Sequence, residues 1–245
     1  MTRPADGSLI TIGSYAETHQ QIWSQLETIH DRFSATDRNG KIAYLKLSYI
    51  NAVISIRTPV DTHEEALQRF MTGSDLETAM ESVNYHPRKR ESIRQMINGT
   101  DVWHDISSVL ETSDLYTVHE IALNRLKFVG TVKVPFLFAK LGYTQKMCID
   151  GNEANLLGTD RSPQMNDIDR YEQLCQKIRD EFPVLSDELE PFHLHWVIFD
   201  RQRYPDTTGS QNGSRQSEPV THHDAWFDAA LRDESEIRQR METIA

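Results

Sequence analysis

The sequence predicts an all-α protein, and three observations predict it. Apolar residues recur at intervals of three and four along most of the chain, the period that lines one face of a helix. No convincing run of alternating apolar and polar residues marks a strand, and no internal repeat is present. The breaks between periodic segments carry helix punctuation, such as Thr58-Pro59 and Asn98-Gly99.

The elements follow in order. From about Tyr15 to Phe33, Ile22, Trp23, Leu26 and Ile29 stand at helical spacing and predict an amphipathic helix. In residues 41–56, KIAYLKLSYINAVISI, apolar positions cover most of the circumference, which predicts a central buried helix. After Pro59 a helix starts at Asp61-Thr62, with acids in its first turn. A short helix spans about Asp75 to Val83, and another begins near Pro87 and runs to about Ile97. Helices near Val102–Leu110 and Ser113–Leu126 precede a tight turn and a helix in TVKVPFLFAKLG. Ile149-Asp150-Gly151 opens a further helix, NEANLLG; residues 169–182 and the segment from His193 complete the body. The boundaries read as a domain over 1–203, a polar linker over 204–222, and a charged C-terminal helix over 223–245, from about Asp224 to Met241.

Composition narrows the function. The chain has 245 residues, enough to bury a full core, and no apolar run of membrane-spanning length or secretory character, so an intracellular protein (cytoplasm or nucleoid) is expected. Cys148 and Cys175 are too few for a disulfide framework. The net charge of −11 argues against a generally basic nucleic-acid surface. Arginine outnumbers lysine, and acids outnumber bases, a halophile-like balance that suits molar internal salt. At such salt, electrostatic DNA binding is weak anyway, and backbone amides, short hydrogen bonds and wedging side chains must serve instead.

The stretch that carries chemistry is residues 126–158, LKFVGTVKVPFLFAKLGYTQKMCIDGNEANLLG. Gly130 lies between two helical segments and supplies the backbone freedom of a short turn. The amides of Gly130, Thr131, Val132 and Lys133 are then helix-start donors able to cradle a phosphate, with Val129 completing the turn. Pro135 falls in the first helical turn, where a missing amide hydrogen costs nothing. Asp150 stands at the next helix start, which favours its ionised form. The plain alternative is a helix-turn-helix pair with a capping aspartate.

Leu126, Val129 and Gly130, with Cys148-Ile149-Asp150-Gly151-Asn152 downstream, resemble the hairpin and aspartate motif of the helix-hairpin-helix DNA glycosylase superfamily. That superfamily includes endonuclease III, adenine glycosylases and 8-oxoguanine glycosylases. AVISIRTPVDTHEEALQRF resembles its L-S-x-Q-T helix end, with Arg57 where a glutamine usually enters the DNA stack. VNYHPRKRESI and HWVIFDRQR resemble further family segments, so the likeness covers roughly residues 41–203. Lys127-Phe128 replaces the usual Pro-Gly of the hairpin, and Lys133 lies one residue later than in the commonest spacing. The four-cysteine iron-sulfur motif is absent, so no cofactor is expected.

The resemblance implies a two-lobed glycosylase-like fold acting on double-stranded DNA that carries a lesion or mismatch. It implies a flipped base, Asp150 as the catalytic carboxylate oriented by Asn152, and Lys133 as the nucleophile of an associated AP-lyase step. Val129 to Val132 would grip the DNA backbone and Arg57 would wedge the stack. Two rival readings are a non-catalytic DNA-binding module of the same fold, and a helical interaction protein whose C-terminal helix docks a partner. His193 and His195, Trp103 and Trp196 are read as core or surface residues, and no metal site is expected.

Overall fold

The computed structural model describes residues 22–83, 87–112, 114–149, 154, 167–203 and 224–244. Among these every regular element is helical, as the periodicity predicts. In chain order they are α1 over 22–35, α2 Arg38–Ile54, α3 Val60–Met71, α4 Leu76–Ala79, α5 Pro87–Asn98, α6 Asp101–Leu110 and α7 Leu115–Arg125. They continue with α8 Lys133–Ala139, α9 Ile168–Glu181, α10 Pro183–Glu188, α11 Pro191–Arg203, α12 Asp224–Ala230 and α13 Glu234–Glu242.

Helix α2 is the hub. Thirteen of its 17 residues are buried, so it meets neighbours on every side rather than along one stripe. Helices α3, α5, α6, α8, α12 and α13 all pack against it. Asp37 starts it, its carboxylate accepting the Gly40 amide at 2.9 Å. A Cβ on Gly40 would stand 2.1 Å from Thr36 Oγ1 and 2.6 Å from Glu234 Oε1, so these side chains sit where a larger residue would displace them.

Part of the acidic composition is spent in the same way. Asp75, Asp114, Asp167 and Asp233 cap α4, α7, α9 and α13 through their carboxylates. A capping carboxylate also complements the positive end of the helix dipole. These aspartates therefore have local structural work that is independent of salt adaptation.

Two apolar cores result. The larger gathers residues from α1 to α8 and from α12 and α13 around α2. The smaller joins Met147 and Ile149 to Tyr171, Leu174, Cys175 and Ile178 of α9, Phe182, and Leu194, Val197 and Ile198 of α11. Helix α11 serves both, because Phe192 and Trp196 on its other face enter the larger core. Both cysteines are buried free thiols. No described helix is long and apolar enough to cross a membrane.

The C-terminal segment differs from the sequence reading. It is two helices instead of one, broken where Asp233 caps the second. Their apolar face is also not free for a partner: Trp226, Phe227, Ile237 and Met241 lie in the larger core. The indole of Trp226 donates to the Lys140 carbonyl at 3.1 Å, and Arg240 donates to the Phe70 carbonyl from above that ring. The terminal helices thus complete the body. The helix α10 was not anticipated, since Pro183 to Glu188 shows no apolar period of its own.

Candidate functional site

Helices α7 and α8 form the hairpin, with residues 126–132 between them. Two side chains of α2 hold it in place. The Tyr49 phenol donates to the Lys127 carbonyl at 2.9 Å, and the Ser48 hydroxyl to the Leu137 carbonyl at 2.6 Å. Leu126 and Val129 point into the larger core, so the turn is pinned by packing as well. Lys127 reaches across to Gln95 of α5.

The backbone freedom lies at a different residue from the one expected. Gly130 does not take a positive φ; Phe128 does, at +62°. Phe128 adopts the left-handed conformation that glycine adopts without strain. The amide of Lys133 is likewise already used, donating to the Gly130 carbonyl at 2.9 Å, as is that of Val134. The amides of Gly130, Thr131 and Val132 meet no acceptor among the described residues. Of the four donors expected at this helix start, those of Gly130 and Val132 remain open among the described residues, whereas the Thr131 amide is closed off by burial. Thr131 is fully buried, and its hydroxyl has no hydrogen-bond partner among the described residues.

Lys133 is half-buried at the first position of α8. Its ammonium donates to Ser55 Oγ at 2.8 Å and lies 4.5 Å from the centre of the Phe136 ring. Ser55 is the residue that ends α2, so Lys133 is brought to the turn that carries Arg57. Arg57 is exposed and also left-handed, with φ +57°. Lys89 of α5 completes the turn by donating to the Ile56 carbonyl at 3.1 Å. A cation there satisfies an orphan carbonyl at the negative end of α2. Burial, and secondarily the Arg57 charge, lowers the pKa of Lys89.

The structure therefore brings together Val129, Gly130, Thr131, Val132, Lys133 and Arg57 around one corner of the molecule. Asp150 and Asn152 lie outside the described residues. The chain leading toward them is anchored, with Cys148 in the larger core and Ile149 in the smaller.

Two groups near Lys133 escaped the sequence reading. Lys140, at the end of α8, is fully buried, and burial brings its pKa down to about 7; the nearby Glu64 opposes that shift and Lys133 adds to it. His63 on α3 is buried, its Nε2 donating to Asn51 Oδ1 at 2.7 Å, since an amide oxygen can only accept. Burial first, then the charges of Lys140 and Lys133, holds this imidazole neutral with a pKa of about 3. A signal for Lys140 existed. It follows Lys133 by seven residues, two helical turns along the same face, in a segment otherwise apolar. Nothing in VNYHPRKRESI singled out Lys89 from its basic neighbours.

Charge is segregated in the sequence segments that meet here. Residues 55–58, 87–95 and 126–133 hold seven basic side chains and a single acid, Glu91, in a chain of net charge −11. An open groove of about 730 Å³ lies elsewhere, between the end of α9, α10 and the start of α11. Asp180, Asp187, Glu188 and Glu190 line it with Arg179, and it includes none of the hairpin residues. The histidines discounted as ligands are spent on packing: His193 stacks on Trp23 at 4.3 Å, and His195 is buried beside Phe192 and Trp196. Trp103 is fully buried, its indole donating to the Met96 carbonyl. No group of three or more metal-ligating side chains is found among the described residues. No protein-family model, curated protein or solved structure matches this chain.

Proposed function

We propose that the chain is a DNA glycosylase of the helix-hairpin-helix type, hydrolysing the N-glycosidic bond of a base turned out of the duplex. The observation that carries this reading is the hairpin turn. Phe128 has a left-handed, glycine-type backbone, and the amides of Gly130 and Val132 meet no acceptor among the described residues, beside Lys133. The open amides and the local excess of basic residues suit a phosphate of the DNA backbone. Arg57 lies two residues beyond Ser55, which Lys133 contacts, and in this reading it would enter the base stack. Supporting the two-lobed architecture of that superfamily are the two cores, with residues 147–149 running between them.

In this reading Asp150 is the working carboxylate. As C1′ loses the base it becomes cationic, and an ionised carboxylate stabilises that charge or takes the proton of the attacking water. Asn152 would orient that carboxylate. Lys133, deprotonated, would instead add its amine to C1′ as the base departs, giving an imine that leads to strand cleavage. Its present hydrogen bond to Ser55 and its place against Phe136 keep the amine directed along the α2–α8 seam.

The test is a panel of duplexes with single lesions or mismatches, including 8-oxoguanine, uracil, thymine glycol, and A opposite 8-oxoguanine, assayed at low and molar salt. Excision of at least one base is expected, with Asp150→Asn lowering the rate about 100-fold or more, the scale of a lost charge-stabilising or general-base group. Borohydride trapping on the same panel should capture a covalent adduct that Lys133→Gln abolishes. DNA binding unaffected by Asp150→Asn, with no excision of any base, would leave only the non-catalytic binding module.

A further inference from the structure

Among the described residues, Arg57 and Phe128 are the only non-glycine residues with positive φ. Helix α5 joins their two turns, with Lys89 on the Ile56 carbonyl and, six residues on, Gln95 accepting from Lys127. At helical rise that separation is about 9 Å.

The Phe128 ring does nothing for the core. The turn's apolar packing is supplied by Leu126 and Val129, each 5% exposed, whereas Phe128 is 42% exposed, one of two large apolar side chains so placed among the described residues. A left-handed backbone costs a residue with a Cβ about 1–2 kcal/mol, and an aromatic ring left in water forgoes its burial energy. Glycine would remove both costs. A residue that is worse for folding than glycine, kept where only the backbone geometry matters, points to work done by the side chain.

We propose that Phe128 is a nucleobase-stacking residue, its outward ring taking an unpaired or displaced base of a strand whose phosphates lie along the hairpin. The proposal rests on the reading of this surface as a DNA interface. The surroundings select that ligand. Lys127 adjoins the ring in sequence, the Lys133 ammonium reaches Ser55 on the turn that carries Arg57, and the amides of Gly130 and Val132 meet no acceptor among the described residues. A flat aromatic face beside cations and free backbone donors matches an unstacked base next to its own phosphate. It also fits an acidic chain, because stacking on a ring, unlike ion pairing, survives high salt.

The experiment uses the full chain and two short duplexes, one fully paired and one with a single tetrahydrofuran abasic site opposite 2-aminopurine. Affinity is measured by fluorescence anisotropy at low and molar salt, and stacking by the 2-aminopurine signal. The unaltered chain is expected to prefer the abasic duplex. Phe128→Gly should lose about tenfold on that duplex and less than about twofold on the paired one, while melting no lower than the parent. Phe128→Trp should keep the preference and the 2-aminopurine response. A preference that survives Phe128→Gly, or equal losses on both duplexes, overturns the proposal. If the unaltered chain binds no DNA at any salt, this proposal and the reading beneath it both fail. Phe128-dependent binding without excision of any base upholds the stacking role and sinks only the glycosylase.

Discussion

His119 and His63 are both buried, and burial disfavours the imidazolium form of each. His119 on α7 stands edge-on to Tyr171 at 4.9 Å, and neither ring nitrogen has a hydrogen-bond partner among the described residues. Burial, helped by the charge of Lys146, holds its pKa at about 4 against an ordinary 6.5. The unfolded chain therefore binds protons on these residues before the folded chain does. Their stabilisation is intact above pH 6.5 and drains away as the pH falls toward 4 for His119 and 3 for His63. His119→Phe should flatten the acid limb of stability by about 3 kcal/mol, read from denaturation midpoints across that range. An acid limb unchanged by the substitution would show that His119 is hydrated in solution. Neither role was legible in the sequence, where a histidine within an amphipathic helix looks the same whether it faces water or the core.

At the scale of elements, the turns carry the information. Helix α8 ends at Gly142, with φ +84°, where the amides of Gly142 and Tyr143 return to the Ala139 and Phe138 carbonyls. A Cβ there would stand 2.4 Å from His30 Cβ and 2.9 Å from the Leu26 carbonyl oxygen of α1. Gly142→Ala should therefore cost about 2 kcal/mol or more, combining left-handed strain with displacement of α1, measurable by urea denaturation. The same substitution at Gly73, also left-handed but with nothing near, should cost only the strain. Helix positions were readable because apolar period and punctuation are local properties. Helix α2 was expected over residues 41–56 and spans Arg38–Ile54; α9 was expected over 169–182 and spans Ile168–Glu181. Turn conformation was less readable, because Gly130 looked like the flexible residue while Phe128, between the buried Leu126 and Val129, takes the left-handed region.

At the scale of the molecule, the tail is part of the core. Trp226 is 1% exposed, and α12 and α13 cover α3 and α2. A chain ending at Arg203 would expose those apolar surfaces of α2 and α3. Such a truncation should lose cooperative thermal unfolding and self-associate, as judged by circular dichroism and gel filtration. A monomeric truncated chain with an unchanged melting curve would restore the picture of an independent domain with a detachable helix. The charge distribution also belongs to this scale. The α9–α11 groove is lined mostly by acids, whereas the segments around the hairpin are rich in bases, of which Arg90 and Arg94 pair with Glu77, so a single net charge describes neither region.

The sequence by itself determined the helical class, the order of most helices, the absence of an iron-sulfur ligand set, and the hairpin whose residues suggest a chemistry. Each of these depends on spacing along the chain, which is written in the order of residues. Only the tertiary structure decided that Lys133 meets Ser55 beside Arg57, that Lys140 and His63 are buried near it, and that the terminal helices close the core. Those are contacts between residues dozens to nearly two hundred positions apart. They are set by which faces pack together, and no local pattern records that.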